Sequence, residues 1–179
     1  MQNDLQRLEG GDLRSKGEAD QVAQDIVDNP ARFASVFDGI FSPDELIRMR
    51  AADAIEKASA INPELLQPYA ERLLSDAVLI QQQEVEWHVA QMLPRLKLDE
   101  AQAKKAFESL RRYFRTSGSR ITQAFCVSSG YALAQAHPAL MHEFRGWLMV
   151  ALQSPSPAVK ARAHAVAEEL RELDQRRKI

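Results

Sequence analysis

Apolar residues recur along this chain at spacings of three and four, not two. The clearest run is Leu46, Ile47, Ala51, Ala54, Ile55 and Ala58, which fall along one side of a helix. The stretch "SPDEL" just before it carries helix-start signals. Ser42 is expected to cap, Pro43 to occupy the first helical position, and Glu45 to complete a capping box. The same period predicts nine helices, near 18–28, 31–41, 43–61, 63–79, 83–96, 99–116, 119–137, 139–153 and 156–173. Pro30, Pro43, Pro63, Pro138, Pro155 and Pro157 stand between these patterns, where a missing N–H does no harm. The connectors are short, which predicts helical hairpins. "AVLI" at 77–80 is the nearest approach to a strand and is expected to end a helix.

The pattern repeats. "IRMRAADAI" (47–55), "VEWHVAQML" (85–93), "ITQAFCVSS" (121–129) and "VKARAHAVA" (159–167) align as four copies, with starts 38, 36 and 38 residues apart. The first column is β-branched throughout: Ile47, Val85, Ile121 and Val159. The sixth holds Ala52, Ala90, Cys126 and His164, small in three of four. A hairpin of this size cannot bury both apolar faces alone, so neighbouring hairpins must stack to close a core. Columns one, five, eight and nine should form the buried arc. Columns three, four and seven lie opposite.

"SPDELIRMRAADAIEKA" and "SPSPAVKARAHAVAEEL" resemble the second helix of a HEAT repeat, with a proline, an aliphatic–basic pair and then small apolar positions. Pro68 inside "PELLQPYAERLL" agrees with the kinked first helix of such repeats. The third copy departs from the pattern, with Thr122 in place of the basic residue and Ser128-Ser129-Gly130 in place of the apolar close. The resemblance covers roughly residues 31–173. It implies an all-α, right-handed α-solenoid of the HEAT-like or armadillo type: four hairpins, with helix 18–28 as an N-terminal cap. It further implies a binding scaffold or adaptor, with another protein as the expected partner. The sequence carries no catalytic constellation, phosphate-binding glycine pattern or metal-ligand spacing, so it is expected to be non-enzymatic, with no cofactor or metal. The second helices of such repeats line the concave face. Met49, Arg50, Asp53, Trp87, His88 and Gln91 are therefore the candidate partner contacts.

Composition and charge refine this picture. Hydrophobic residues are 45% and charged residues 27%, ordinary for a globular chain, and good helix formers dominate. No apolar run approaches the roughly 20 residues that span a bilayer, so no membrane partner is expected. The lone cysteine excludes an internal disulfide, which fits a reducing, cytoplasmic setting. Residues 1–17 are polar and glycine-containing, lack the apolar core of a secretory signal, and read as a flexible arm ahead of one domain over 18–179. Residues 1–100 carry 10 Lys/Arg against 19 Asp/Glu; residues 101–179 carry 13 against 6. That asymmetry favours head-to-tail self-association.

The basic half includes Lys104, Lys105, Arg111, Arg112, Arg115 and Arg120, a candidate patch for an anionic partner. Nucleic acid is the second partner class this patch admits, and repair enzymes built on HEAT-like repeats use a basic concave face with aromatic and acidic residues. Here Gln91, not a carboxylate, follows Trp87 by one turn, and the pI near 6.1 is low for a dedicated nucleic-acid binder. His88, His137, His142 and His164 show no metal-ligand spacing. His164 and Cys126, in the tight sixth column, are expected to be buried and inert.

Overall fold

A computed structural model describes residues 4–12 and 14–176; residues 1–3 and 13 of the arm and 177–179 at the C-terminal end lie outside the described residues. No strand forms among the described residues. The chain divides into two compact units, 1–97 and 98–179.

Unit 1 opens with α1 (Asp4–Arg7) and α2 (Ala19–Asp28), then α3 (Phe33–Gly39) and α4 (Glu45–Ile61). α5 (Ala70–Ser75) and α6 (Gln83–Met92) follow. α2 buries Ala19, Val22, Ala23 and Ile26, one stripe at helical spacing, and packs on α4, which also packs on α3 and α6. Asn29 and Asn62 each cap the 3₁₀ turn that their following proline opens, accepting from Ala31 N and Glu64 N at 3.3 Å. The single helix expected over 63–79 is instead a 3₁₀ stretch, α5 and a second 3₁₀ turn. Pro68 within it cannot donate an α-helical hydrogen bond. The start of α4 also differs from the expected one: Asp44 is the cap, accepting from Leu46 N at 2.8 Å, while Ser42 Oγ accepts from Asp44 N in the turn ahead.

Unit 2 comprises α7 (Glu100–Thr116), α8 (Arg120–Ala136), α9 (Met141–Leu152) and α10 (Pro157–Arg176). α7 starts on a full capping box, Asp99 with Gln102. α8 packs on α7, α9 and α10, so two helical hairpins share one core. Trp147 sits at its centre, with the rings of Phe107, Phe114 and Phe144 at 5.5, 5.4 and 5.8 Å.

Burial corrects the repeat register in the third copy by one residue. Thr122, not Ile121, occupies the first column: Thr122 is fully buried and Ile121 is 53% exposed. The columns then read Ile47–Val85–Thr122–Val159, Ala51–Val89–Cys126–Ala163, Ala54–Met92–Ser129–Val166 and Ile55–Leu93–Gly130–Ala167. All are buried except Ile47 and Ala167, which are half-buried. The spacings become 38, 37 and 37. The missing apolar close of this copy has a cause: a side chain at Gly130 would collide with the indole of Trp147, which fills that space from α9. Cys126 is buried as expected, but in column five. His164 is exposed, contrary to expectation, because the sixth column of α10 turns outward.

A strapped cleft and an open groove on the ladder face

With the register corrected, columns three, four and seven of the sequence repeat read Met49, Trp87, Ala124, Ala161; Arg50, His88, Phe125, Arg162; and Asp53, Gln91, Ser128, Ala165, so each unit carries its own two-rung ladder. The two units treat these ladders differently.

In unit 1 it is largely covered. Met49, Arg50, Asp53 and His88 are buried and Trp87 and Gln91 half-buried, so the expected display of all six does not occur. The cover is the segment read as a flexible arm. Leu8 is fully buried, and residues 8–12, 15 and 17 lie around the Arg50 side chain. The Arg50 guanidinium donates to the carbonyls of Leu8 (2.8 Å), Glu9 (3.1 Å) and Gly10 (2.7 Å) through Nη1. It also donates to Ser15 through Nε (3.0 Å) and to Asp12 through Nη2 (3.4 Å). Gly11 and Gly17 have φ of +83° and +51°, and a Cβ at either would press on this guanidinium. Both the turn and the close approach therefore require glycine. Ion pairs anchor the strap: Arg7 to Glu18 (2.8 Å) and Asp25 (2.6 Å), and Arg32 to Asp4 (2.8 Å).

Below the strap lies a cleft of about 250 Å³ lined by Arg14, Lys16, Met49, Arg50, Asp53, Trp87 and His88. Five of the six sequence candidates therefore meet around one space. Gln91 stays outside its lining and donates to the Trp87 carbonyl at 3.1 Å. Trp87 and His88 meet edge to face, with ring centroids 5.6 Å apart. Asp53 accepts from Lys57 at 2.6 Å and faces His88 Nε2 at 3.7 Å. Burial pushes the His88 imidazole below its ordinary value, Asp53 opposing. Burial also works against the Lys57 ammonium, but hydrogen bonds to Asp20 and Asp53 outweigh it and hold its pKa above the usual lysine value. Sequence reasoning missed Arg14 and Lys16. Their only signal was two cations between glycines.

In unit 2 the ladder is open. Ile121, Ala124, Phe125, Ala158, Ala161 and Ala165, with Arg162, line a groove of about 420 Å³ along α8 and α10. No sequence candidate lay here, because the one-residue slip had turned Ile121 inward.

The basic patch is dispersed along one face of α7. Lys104, Lys105, Arg112 and Arg115 are exposed there, as is Arg120 at the start of α8. Arg111 pairs with Glu143 at 2.8 Å, Arg112 lies 5.5 Å over the Tyr113 ring, and Arg120 donates to Gln123 at 2.9 Å.

The profile of the HEAT repeat domain family matches residues 7–170, most of the chain. The chain belongs to the HEAT repeat family. That range includes most of the strap as well as the helices after it. No curated protein and no solved structure matches the chain. The HEAT family is one of helical repeat scaffolds that commonly bind other proteins.

Proposed function

We propose that this HEAT repeat protein is a non-enzymatic interaction scaffold and that its docking surface is the α8–α10 groove, occupied by an amphipathic helix of a partner protein. The observation that carries this reading is Ile121, 53% exposed beside an alanine floor. Ala124, Ala158, Ala161 and Ala165 leave room for a helix backbone to approach, and Ile121 and Phe125 offer apolar walls. The rim selects the partner's charge. Arg162 lines the groove, Arg120 is exposed at the start of α8, and among the described residues no carboxylate lines the groove, so acidic flanks on the incoming helix are favoured. The side chains sit on stacked helices, which lowers the ordering cost of binding.

Affinity capture with wild type and with Ile121→Glu tests this, followed by reconstitution of the captured partner with both proteins. Ile121 is on the surface, so the variant keeps its fold. A partner held by wild type and released by Ile121→Glu supports the groove. The same partner held equally by both removes it.

A further inference from the structure

Five large apolar side chains stand more than half exposed among the described residues: Ile61, Leu79, Ile121, Met149 and Val150. Ile121 belongs to the α8–α10 groove. A single exposed apolar residue needs no explanation, but Met149 and Val150 are neighbours on α9. Val150 also lines a second groove of unit 2, of about 530 Å³, between α7 and α9. Phe114 from α7 and Trp147 from α9 give it aromatic walls. At Gly146 the groove is open, because a Cβ there would meet empty space. One large apolar side chain can therefore enter. The charged groups lining the groove are Arg111, Arg115 and Glu143. Arg111 takes Glu143 at 2.8 Å, and among the described residues no carboxylate pairs with Arg115. Across α7 and α9 together, six Lys/Arg stand against Glu100, Glu108 and Glu143, so the surface around the opening is basic.

Leu79 in unit 1 is the reverse case. It ends the 3₁₀ turn Ala77–Leu79 between α5 and α6 and is 60% exposed. Residues 70–92, which hold that turn and both helices, carry one cation, Arg72, against Glu71, Asp76, Glu84 and Glu86. Arg72 is engaged elsewhere: it pairs with Asp38 at 2.7 Å and lies over the Phe41 ring. Asp76 opens the same turn, its carbonyl accepting from Leu79 N. Its carboxylate accepts from the Ser75 hydroxyl and meets no cation among the described residues. Leu79 is thus an apolar knob in an acidic surround. Ile61, the other exposed apolar residue of unit 1, lacks that setting, because the nearby Glu64 is paired with Lys97.

We propose that Leu79 of one copy of this chain enters the α7–α9 groove of a second copy, against Trp147 and Val150, with Asp76 beside Arg115. Knob and groove are different surfaces, so the contact is heterologous and joins copies head to tail. The opposite charges of the two surfaces steer the encounter, and burial of the apolar side chains holds it. A single knob makes a small contact, so the association is weak and grows with concentration. The α7–α9 groove is separate from the α8–α10 groove, and each reading can fail without the other.

The test is sedimentation velocity of the full chain over a range of concentrations at low ionic strength, with Leu79→Glu and Val150→Glu alongside wild type. Both side chains are on the surface, so both variants keep the fold, and thermal melts check that they do. Wild type should form species larger than a dimer as concentration rises, and added salt should return them to monomer. Each variant alone should stay monomeric. An equal mixture of the two should give dimers and nothing larger, because one supplies the intact Leu79 and the other the intact groove. A generally adhesive surface would not show that complementation. Ile121→Glu should assemble like wild type. Wild type that stays monomeric, either variant assembling like wild type, or a mixture without dimers overturns the proposal. Loss of assembly in Ile121→Glu would move the contact to the α8–α10 groove and overturn it as well. If wild type stays monomeric while affinity capture yields a protein that Val150→Glu releases, the groove belongs to that partner and the proposal falls.

Discussion

Arg50 shows how one side chain can organise a segment. Its guanidinium is almost fully buried, and every acceptor it uses is a carbonyl of residues 8–15. Arg50→Met keeps the apolar stem and removes the donors. The variant should lose roughly 1.5–3 kcal/mol in urea unfolding, and limited proteolysis should then cut within residues 8–17. His88 makes a second prediction at this scale. Burial lowers its pKa, so the unfolded chain takes up the proton first as pH falls. Its contribution to stability is complete above the ordinary histidine value of 6.5 and is lost as pH drops from there through the depressed folded value. Thermal melts from pH 7.5 to 5 should show this decline, and His88→Gln should flatten it. Asp20 and Asp25 act in a separate window. Lys16 holds the first and Arg7 the second below the ordinary value of 3.8, so their contributions fade only in stronger acid.

Helices α8 and α9 make opposite demands on two glycines. Gly130 lies in the buried column of α8, where an added methyl would meet the Trp147 ring. Gly146 lies inside α9 with open space at the same position. Gly130→Ala should destabilise by about 1–3 kcal/mol through overpacking, more than any gain in helix propensity. Gly146→Ala should stabilise by about 0.5–1 kcal/mol, because a mid-helix glycine costs entropy that alanine does not. Urea midpoints moving the same way for both would contradict the packing assigned to Trp147. The slip at Ile121 belongs to this scale as well. Choosing the more apolar of two adjacent residues put Ile121 inside, whereas Thr122 is buried because Gly130 and Trp147 set the rotation of α8.

Charge is the property that spans the whole chain. Residues 1–97 hold 10 Lys/Arg against 17 Asp/Glu, and residues 98–179 hold 13 against 8. Opposite charges of this size favour head-to-tail contact between copies at low ionic strength. The mass from light scattering should therefore rise at low salt and return to that of a monomer at high salt. A monomer under both conditions would leave the asymmetry to the partner surfaces alone. The hydrogen-bonded strap adds a further point at this scale. Composition alone marks residues 1–17 as a loose lead-in, yet part of that segment folds over α4.

Periodicity in the chain was enough to determine most of the helices, the stretch 63–79 excepted, and the repeat of nearly 37 residues, because a helix advertises its buried face locally. It also placed Met49, Arg50, Trp87 and His88 on one ladder. It did not determine whether that ladder is open. That depends on contacts 35 to 42 residues apart, from Arg50 to Ser15 and to Leu8, which leave no periodic trace. Tertiary packing decided that these columns are strapped in unit 1 and bare in unit 2, and where Arg14 and Lys16 come to rest. The reason is physical: a carbonyl that accepts from a distant guanidinium is the same atom in every residue, so side-chain identity does not announce the bond.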